Sequence, residues 1–385
     1  MRVAQPVQWQ ALLPGLAALV AFSLVVATSS ARLALLLVLG ALCGVTLYQA
    51  AFGFSAAYRR LLFARDAAMM EAQLLMLALA TVLFAPVLAA GSAFGMPVTG
   101  ASAPVGWQVA IGAFLFGIGM QLGNGCGSGT LYTLGGGSTR MLATLAAFCA
   151  GGFVASLHMD TWQRLPGAGE IVLGERLGWP AAVALQLALL AMLYALLRAV
   201  ARPALPAPPI DGSMFGRVFT GPWPLLAGAV LLACLNLATL VASGHPWSIT
   251  WAFTLWAAKA AVALGWNASG SSFWQGGFQQ QALEAPLLAD ETSVMDIGIV
   301  LGAFVAAAAA GRLAPALRVP LRSLAAALIG GLLMGYGARL AYGCNIGAFF
   351  SGVASTSLHG WLWIVAALPG TWLGARLRPA FGMSL

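Results

Sequence analysis

The sequence predicts an all-α, polytopic membrane protein of about ten transmembrane helices, with re-entrant glycine- and cysteine-bearing loops and an inverted internal repeat. Three observations carry that prediction. The chain is 61% hydrophobic and 7% charged, with mean hydropathy +0.91, whereas a soluble domain carries roughly a quarter charged residues. Several separate apolar runs approach the ~20 residues that span a bilayer. Finally, Gly117 to Arg140 (GIGMQLGNGCGSGTLYTLGGGSTR) returns 218 residues later at Gly335 to Leu358, both reading G-x-G-x-x-L-x-x-G-C-x-x-G. Nine of the nineteen positions from Ile111 to Gly129 are identical to their partners at that offset, so a duplicated unit is the simplest reading.

Leu12 to Thr28 is read as the first helix and not as a cleaved signal, because a second run starts by Leu33 and no A-x-A site stands out. Leu33 to Tyr48 follows. Gln49 to Leu62 is too short and too glycine-marked to cross, so it reads as a re-entrant or interfacial segment ending on Arg59, Arg60 and Arg65. Ala68 to Ala90 spans, and Gly91 to Gly106 is a Gly/Pro/Ser loop. Trp107 to Gln121 enters the first motif, Met141 to His158 leaves it, and Pro180 to Leu197 spans again. The proline-rich stretch 201–224 is the linker between a first half, 1–200, and a second half, 225–385.

In the second half Leu225 to Ser243 spans, and Trp247 to Leu264, which carries the only lysine, Lys259, is the counterpart of the Gln49 segment. A polar loop from Gly265 to Ser293 leads to spans at Val294 to Ala310, Ser323 to Tyr342 and His359 to Leu373.

The net charge of +8 comes from seventeen Arg and one Lys. In a membrane protein such an excess reflects topology, so nucleic acid is not implied. Arginines cluster at 59, 60 and 65, at 198, 202 and 217, at 312, 318 and 322, and at 376 and 378, while the loops from Asp160 and from Glu284 are acidic. The positive-inside rule places the basic clusters, and both termini, in the cytoplasm. The Cys126 motif then dips in from the cytoplasmic side and the Cys344 motif from the outer side, which is an inverted repeat. The two cysteine loops are expected to meet near the middle.

Five cysteines at 43, 126, 149, 234 and 344 show no CxxC and no metal-ligand spacing. No metal, cofactor or catalytic residue is expected. Cys43, Cys149 and Cys234 sit in plain apolar runs and read as core fillers. Cys126 and Cys344 stand at matching repeat positions inside broken helices, and broken helix at membrane depth is tolerated only where it is buried or lines a cavity.

The candidate substrate-binding set is Asn124, Gly125, Cys126, Gly127, Ser128, Gly129 and Thr130 from the first motif. Gly343, Cys344, Asn345, Gly347 and Ser351 from the second, with Arg339, complete it. Thiols, hydroxyls and backbone N–H groups, with half-helix N-termini expected near Gly129 and Gly347, suit a soft or sulfur-bearing anion that must bind and then leave. Arg339 aligns with Gln121, and a charge there reads equally as an anion attractor or a snorkelling interfacial residue.

At these residues the chain resembles the YeeE/YedE family of membrane proteins with the duplicated sulphur-transport domain, whose studied members take up thiosulfate. The stretches that carry the resemblance are Y-Q-A-A-F-G-F-S-A-A-Y-R-R-L from Tyr48, G-N-G-C-G-S-G-T, K-A-A-V-A-L-G-W-N from Lys259, and Y-G-C-N-I-G-A-F-F-S-G from Tyr342. The resemblance implies an inner-membrane permease in which Cys126 and Cys344 pass thiosulfate along by S–H hydrogen bonds. Its partners are then a small sulfur-containing anion, the lipid bilayer and a cytoplasmic sulfur-carrier protein. In that family a third cysteine often follows a phenylalanine in the first re-entrant segment; here Phe52 is followed by Gly53. Two other readings stay open at this point: a redox or sulfur-transfer component using the two motif thiols, and a carrier of selenium compounds.

Overall fold

The computed structural model describes residues 6–202, 219–315 and 318–385. The linker expected at 201–224 falls largely outside them. All ten segments read as spans form helices: α1 (Trp9–Ser29), α2 (Ala31–Gln49), α4 (Ala68–Ala90), α5 (Trp107–Gly123), α7 (Arg140–Ser156), α8 (Trp179–Val200), α9 (Leu225–Ser243), α11 (Glu291–Ala309), α12 (Leu321–Leu340) and α13 (Leu358–Leu377). Between them lie the short α3 (Phe54–Arg59), α6 (Gly127–Gly135) and α10 (Thr250–Ala263). Among the described residues eight helical stretches are long and apolar enough by themselves to cross a membrane. Helix α7, at 17 residues, is shorter, and α13 is diluted by His359, Pro369 and three tryptophans. The chain is an all-α polytopic membrane protein.

Helix ends follow local chemistry. The Ser30 side chain accepts from Leu33 N to start α2, and the Asp290 carboxylate accepts from Ser293 N to start α11. Gly91 at φ +66° ends α4 and Gly244 at φ +83° ends α9, positions where a Cβ would be strained.

Two faces can be traced through loop contacts. On one, Arg202 N donates to Arg65 O, Gln8 bonds Leu313, Arg140 bonds Ser323, and Arg378 bonds Gln121 O. This is the basic face. On the other, Thr99 N donates to Gly244 O, Ser102 to Glu170, Ser272 to Asp160, and Trp251 to Asp290. The loops read from sequence as irregular hold some strand here: β1 (Ser92–Ala93) pairs with β2 (Met96–Pro97), and β3 (Pro104–Gly106) pairs antiparallel with β4 (Gly167–Glu170). Both Gln49 to Leu62 and Trp247 to Leu264 begin and end on one face, the first on the basic side and the second opposite.

The bundle is built from helices exchanged between the halves. Helix α5 packs against α13 and its equivalent α12 packs against α7. The closeness depends on glycine: a Cβ on Gly117 would lie 2.3 Å from Ala367 O, and one on Gly335 would lie 2.0 Å from Phe148 O. At the centre α5 and α12 cross each other. Gly112 meets Gly337, and Gly119 meets Gly330; as numbering rises along one helix it falls along the other, so equivalent helices run antiparallel. That is the geometry of a two-fold axis lying in the membrane plane. Helix α2 packs on α11 as α9 packs on α4. The two helices outside the repeat fall into equivalent places as well, with α1 covering α11 and α8 covering α4 through Gln186 Nε2 and Thr81 Oγ1, 2.7 Å apart. Both are mostly unburied, with Leu13, Val20, Leu24, Leu185, Met192 and Leu196 turned outward, as lipid-facing helices require.

Candidate functional site

Each glycine-cysteine motif interrupts its helix in the same way. Asn124 (φ +65°) and Tyr342 (φ +57°) occupy equivalent positions and turn the chain out of α5 and α12 in the left-handed conformation. Gly125 and Gly343 follow, the latter at φ +150°, which L residues rarely adopt. The chain then extends at Cys126 (φ −90°, ψ −164°) and at Cys344 (φ −109°, ψ −162°). Each cysteine is the N-cap residue of the next helical piece, α6 or the π-helical turn Asn345–Phe350. The half-helix N-termini therefore sit about two residues earlier than Gly129 and Gly347, and each thiol lies beside the N–H groups at the positive end of its half-helix. Ile346 N is 3.4 Å from Cys344 Sγ, and Ser128 Oγ is 3.4 Å from Cys126 Sγ.

The first motif belongs to the basic face, since Gly137 lies against Leu313 and Ala314. The second belongs to the opposite face, where Leu358 N donates to Ile171 O. They meet between the faces: a Cβ on Gly127, the residue after Cys126, would stand 3.1 Å from Cys344 Sγ, 3.4 Å from Thr250 Cγ2 and 3.5 Å from Ile249 Cγ2. Both thiols are buried and free, as is that of Cys43; Cys149 is half-buried and Cys234 is exposed on α9.

A cavity approaches this contact from each side. The basic-face cavity, about 220 Å³, is lined by Gly53, Ser55, Arg59, Asn124, Cys126 and Tyr132, with Gly125 and Gly129 in its wall. The opposite cavity, about 210 Å³, is lined by Ser248, Thr250, Trp251, Thr254, Arg339 and Tyr342. Thr250 and Cys344 both touch the Gly127 position, so the two cavities are separated by little more than the paired motifs. A larger cavity of about 330 Å³, between Asp66, Glu71, Arg198 and Arg202, lies away from them.

Thr130 Oγ1 donates to Cys126 O at 2.8 Å and holds the first loop shut on itself. Asn345 Nδ2 donates to Tyr58 Oη at 2.9 Å, while its Oδ1 is buried without a partner. Ser351 Oγ donates to Trp247 O and accepts from Asn236 Nδ2, so it ties the second loop to α9 and faces neither cavity. Gly347 lies against Ser248 at the opposite cavity, and Gly343 O accepts from Trp363 Nε1. The Arg339 guanidinium stacks over Phe273 and Trp251, 5.2 Å and 5.9 Å from the ring centroids, with its Nε buried and unpartnered.

Sequence reasoning did not single out the arginines that gather where α5 ends. Arg140 donates to Gly123 O and Leu122 O, and Arg378 to Gln121 O and Asn124 Oδ1. Arg59 Nη1 donates to Gln121 Oε1. Three cations thus neutralise the negative end of α5. Burial, then the charges of Arg59 and Arg140, lower the Arg378 guanidinium to about 10, so it stays cationic at neutral pH. The signal available in the sequence was Gln121 itself, a polar residue inside an apolar run, opposite Arg339 in the repeat.

Comparison with known proteins bears on the same region. The family described as "Sulphur transport" matches residues 49–373. The chain is 35% identical over 164 residues to the probable transporter YedE of Escherichia coli (strain K12), covering 41% of this chain but 39% of that relative. It is 28% identical over 349 residues to the thiosulfate transporter TsuA of Spirochaeta thermophila, covering 87% of this chain and 96% of the relative. To TsuA of Escherichia coli (strain K12) it is 25% identical over 361 residues, covering 89% and 93%.

Proposed function

Because the chain belongs to the sulphur-transport family, we propose that it is a multi-pass permease for thiosulfate or a closely related sulfur-containing anion, passed between two vestibules by the Cys126 and Cys344 thiols. The coarser part of this reading, a membrane transporter of a sulfur anion, is supported by relatives named as thiosulfate transporters over most of their length. The finer part rests on one observation: a cavity lined by Cys126 on the basic face and a cavity lined by Thr250 on the opposite face approach the contact of Gly127 with Cys344.

The chemistry suits passage rather than storage. A thiol is a weak neutral donor, and a half-helix N-terminus favours an anion by about 0.3–1 kcal/mol when exposed and up to ~2 kcal/mol when partly buried. Such a site binds an anion without trapping it. Gly125, Gly127, Ser128, Gly129, Asn124 and Thr130 shape the first half of the constriction. Gly343, Asn345 and Gly347 shape the second, which Ser351 anchors from behind through Trp247 and Asn236, and Arg339 draws the anion into the vestibule opposite the basic face. That basic face is taken as cytoplasmic, with both termini inside an inner membrane, and the halves 1–200 and 225–385 are taken as the two repeat units. A cytoplasmic sulfur-carrier protein is then the expected acceptor.

The test is uptake of labelled thiosulfate into proteoliposomes, with sulfate and selenite as competitors. Cys126→Ala and Cys344→Ala, shown to be folded, are each expected to lower uptake at least tenfold. Transport at the wild-type rate by both variants would defeat the thiol relay, and failure of thiosulfate to enter at all would defeat the substrate assignment.

A further inference from the structure

Among the described residues each vestibule is lined by a single charged side chain, and in both it is a guanidinium: Arg59 on the basic face and Arg339 opposite. The two come from positions that do not correspond in the repeat. Arg339 stands on α12 at the place equivalent to Gln121 on α5, whereas Arg59 comes from the re-entrant α3 and reaches that place by bonding Gln121 Oε1 at 3.1 Å. At that place the first half carries glutamine, and a different element supplies the charge. Packing alone gives no reason for such an arrangement.

The state of the Arg59 side chain is informative. It makes that one side-chain hydrogen bond, and among the described residues it has no carboxylate within ion-pair distance; the nearest acid in sequence, Asp66, pairs with Arg60. Neighbouring Arg140 and Arg378 are committed to backbone carbonyls and to the side chains of Ser323 and Asn124, and raise the local positive potential without lining the cavity. Asn124 does line it, and because its Oδ1 accepts from Arg378, its Nδ2 is left as a donor. A guanidinium with most of its N–H fork unused, beside an amide donor and a thiol, is matched to a small oxyanion, whose oxygens accept two parallel bonds from the fork.

We propose that Arg59, with Asn124, forms an inner anion-holding site, so that the permeant anion is held by a guanidinium on each side of the thiol constriction, at Arg339 before it and at Arg59 after it. This rests on the permease reading above. Two holding sites of similar strength in series give the anion a step down from the constriction in either direction, and neither binds it so well that it cannot leave. A lysine at position 59 keeps the charge but loses the fork.

The experiment compares thiosulfate entry from the two faces, using right-side-out and everted membrane vesicles holding the full chain. Arg59→Gln is expected to raise KM for entry through the basic face at least tenfold, and to raise KM from the opposite face much less. Arg339→Gln should show the reverse bias, and Arg59→Lys should recover part of the loss. Equal KM changes on both faces for Arg59→Gln, or none, would overturn the inner site, while intact asymmetry with normal thermal stability supports it. The reading of the protein as a thiosulfate permease is judged separately, by whether wild-type vesicles move thiosulfate at all. If they do not, the inner site is decided by thiosulfate-induced thermal stabilisation of the purified protein: stabilisation lost in Arg59→Gln upholds it, and stabilisation absent from the wild type or retained in the variant overturns it.

Discussion

Adding one methyl group at Gly127 separates the fold of this protein from its transport. Gly127 begins α6, so alanine meets no positive-φ penalty there, and the glycine-to-alanine gain of roughly 0.8–1 kcal/mol known for helix interiors is an upper bound at this first position. Against this, the new Cβ would stand 3.1 Å from Cys344 Sγ and 3.4 Å from Thr250 Cγ2, inside the ~3.5–4.0 Å of an unstrained contact. Both neighbours are side-chain atoms that can yield by a few tenths of an ångström, which places the cost at the low end of overpacking, about 1 kcal/mol. The two effects offset, and the thermal midpoint in detergent is expected to change little. Transport is another matter. The Cβ projects about 1.5 Å from Cα into the opening that the anion itself must occupy once the contact parts, and crowding of the passing anion by about 1–3 kcal/mol, a strain absent from the resting state, slows passage roughly 5- to 150-fold. The assay is initial uptake of labelled thiosulfate, beside thermal unfolding of the same preparation. Wild-type uptake by Gly127→Ala would mean that the permeant species does not cross between the two cysteine motifs.

Other perturbations follow from the same geometry. Gly335→Ala would place a Cβ 2.0 Å from Phe148 O, a backbone atom that cannot swing aside; about 1–3 kcal/mol of stability should be lost, read as a lower thermal midpoint than that of Gly270→Ala, where nothing lies within 4 Å. Gly53→Cys should fold normally, because the nearest atom to its Cβ is Tyr132 Oη at 3.4 Å and φ is −107°, and its thiol would enter the same cavity as Cys126; unchanged transport and unchanged competition by sulfate would show that a third thiol has no bearing on substrate choice. Arg378→Ala strips the buried Gln121 carbonyl, and the more exposed Asn124 amide oxygen, of a charge-assisted donor and should cost roughly 1–3 kcal/mol in stability by chemical denaturation; a variant as stable as the wild type would refute the structural role given to that guanidinium. Cys126→Ser should lower transport under oxidising and reducing conditions alike, whereas strong dependence of the wild type on reductant would favour disulfide chemistry over neutral thiols.

Much of this architecture was legible in the chain because duplication wrote it twice. The fixed offset between Cys126 and Cys344 located the helix breaks, and glycines at 112, 117 and 119 with partners at 330, 335 and 337 marked where helices touch. The arginine runs separated the faces. What stayed hidden depends on contacts between elements far apart in sequence. Ser351 looked like a free hydroxyl, but Trp247 and Asn236, brought in by the other end of the second half, use both its capacities. Arg59 looked like one of several topology-setting charges until α3 folded back to Gln121. The half-helix starts were misplaced by two residues because glycine signals the break, while the N-cap is set by the extended backbone at the cysteine itself.

The central crossing of α5 and α12 also records how such a molecule can arise. Gly112 against Gly337 and Gly119 against Gly330 are the same contact made twice, so the surface is self-complementary in the manner of an isologous dimer interface. A single unduplicated half, inserted into the membrane in both orientations, would have met its own copy through this surface. In that ancestor every substitution at the crossing or at the vestibules was made on both faces at once. Within one chain that constraint is absent: position 121 is glutamine where position 339 is arginine, and the mouths on the two faces can differ.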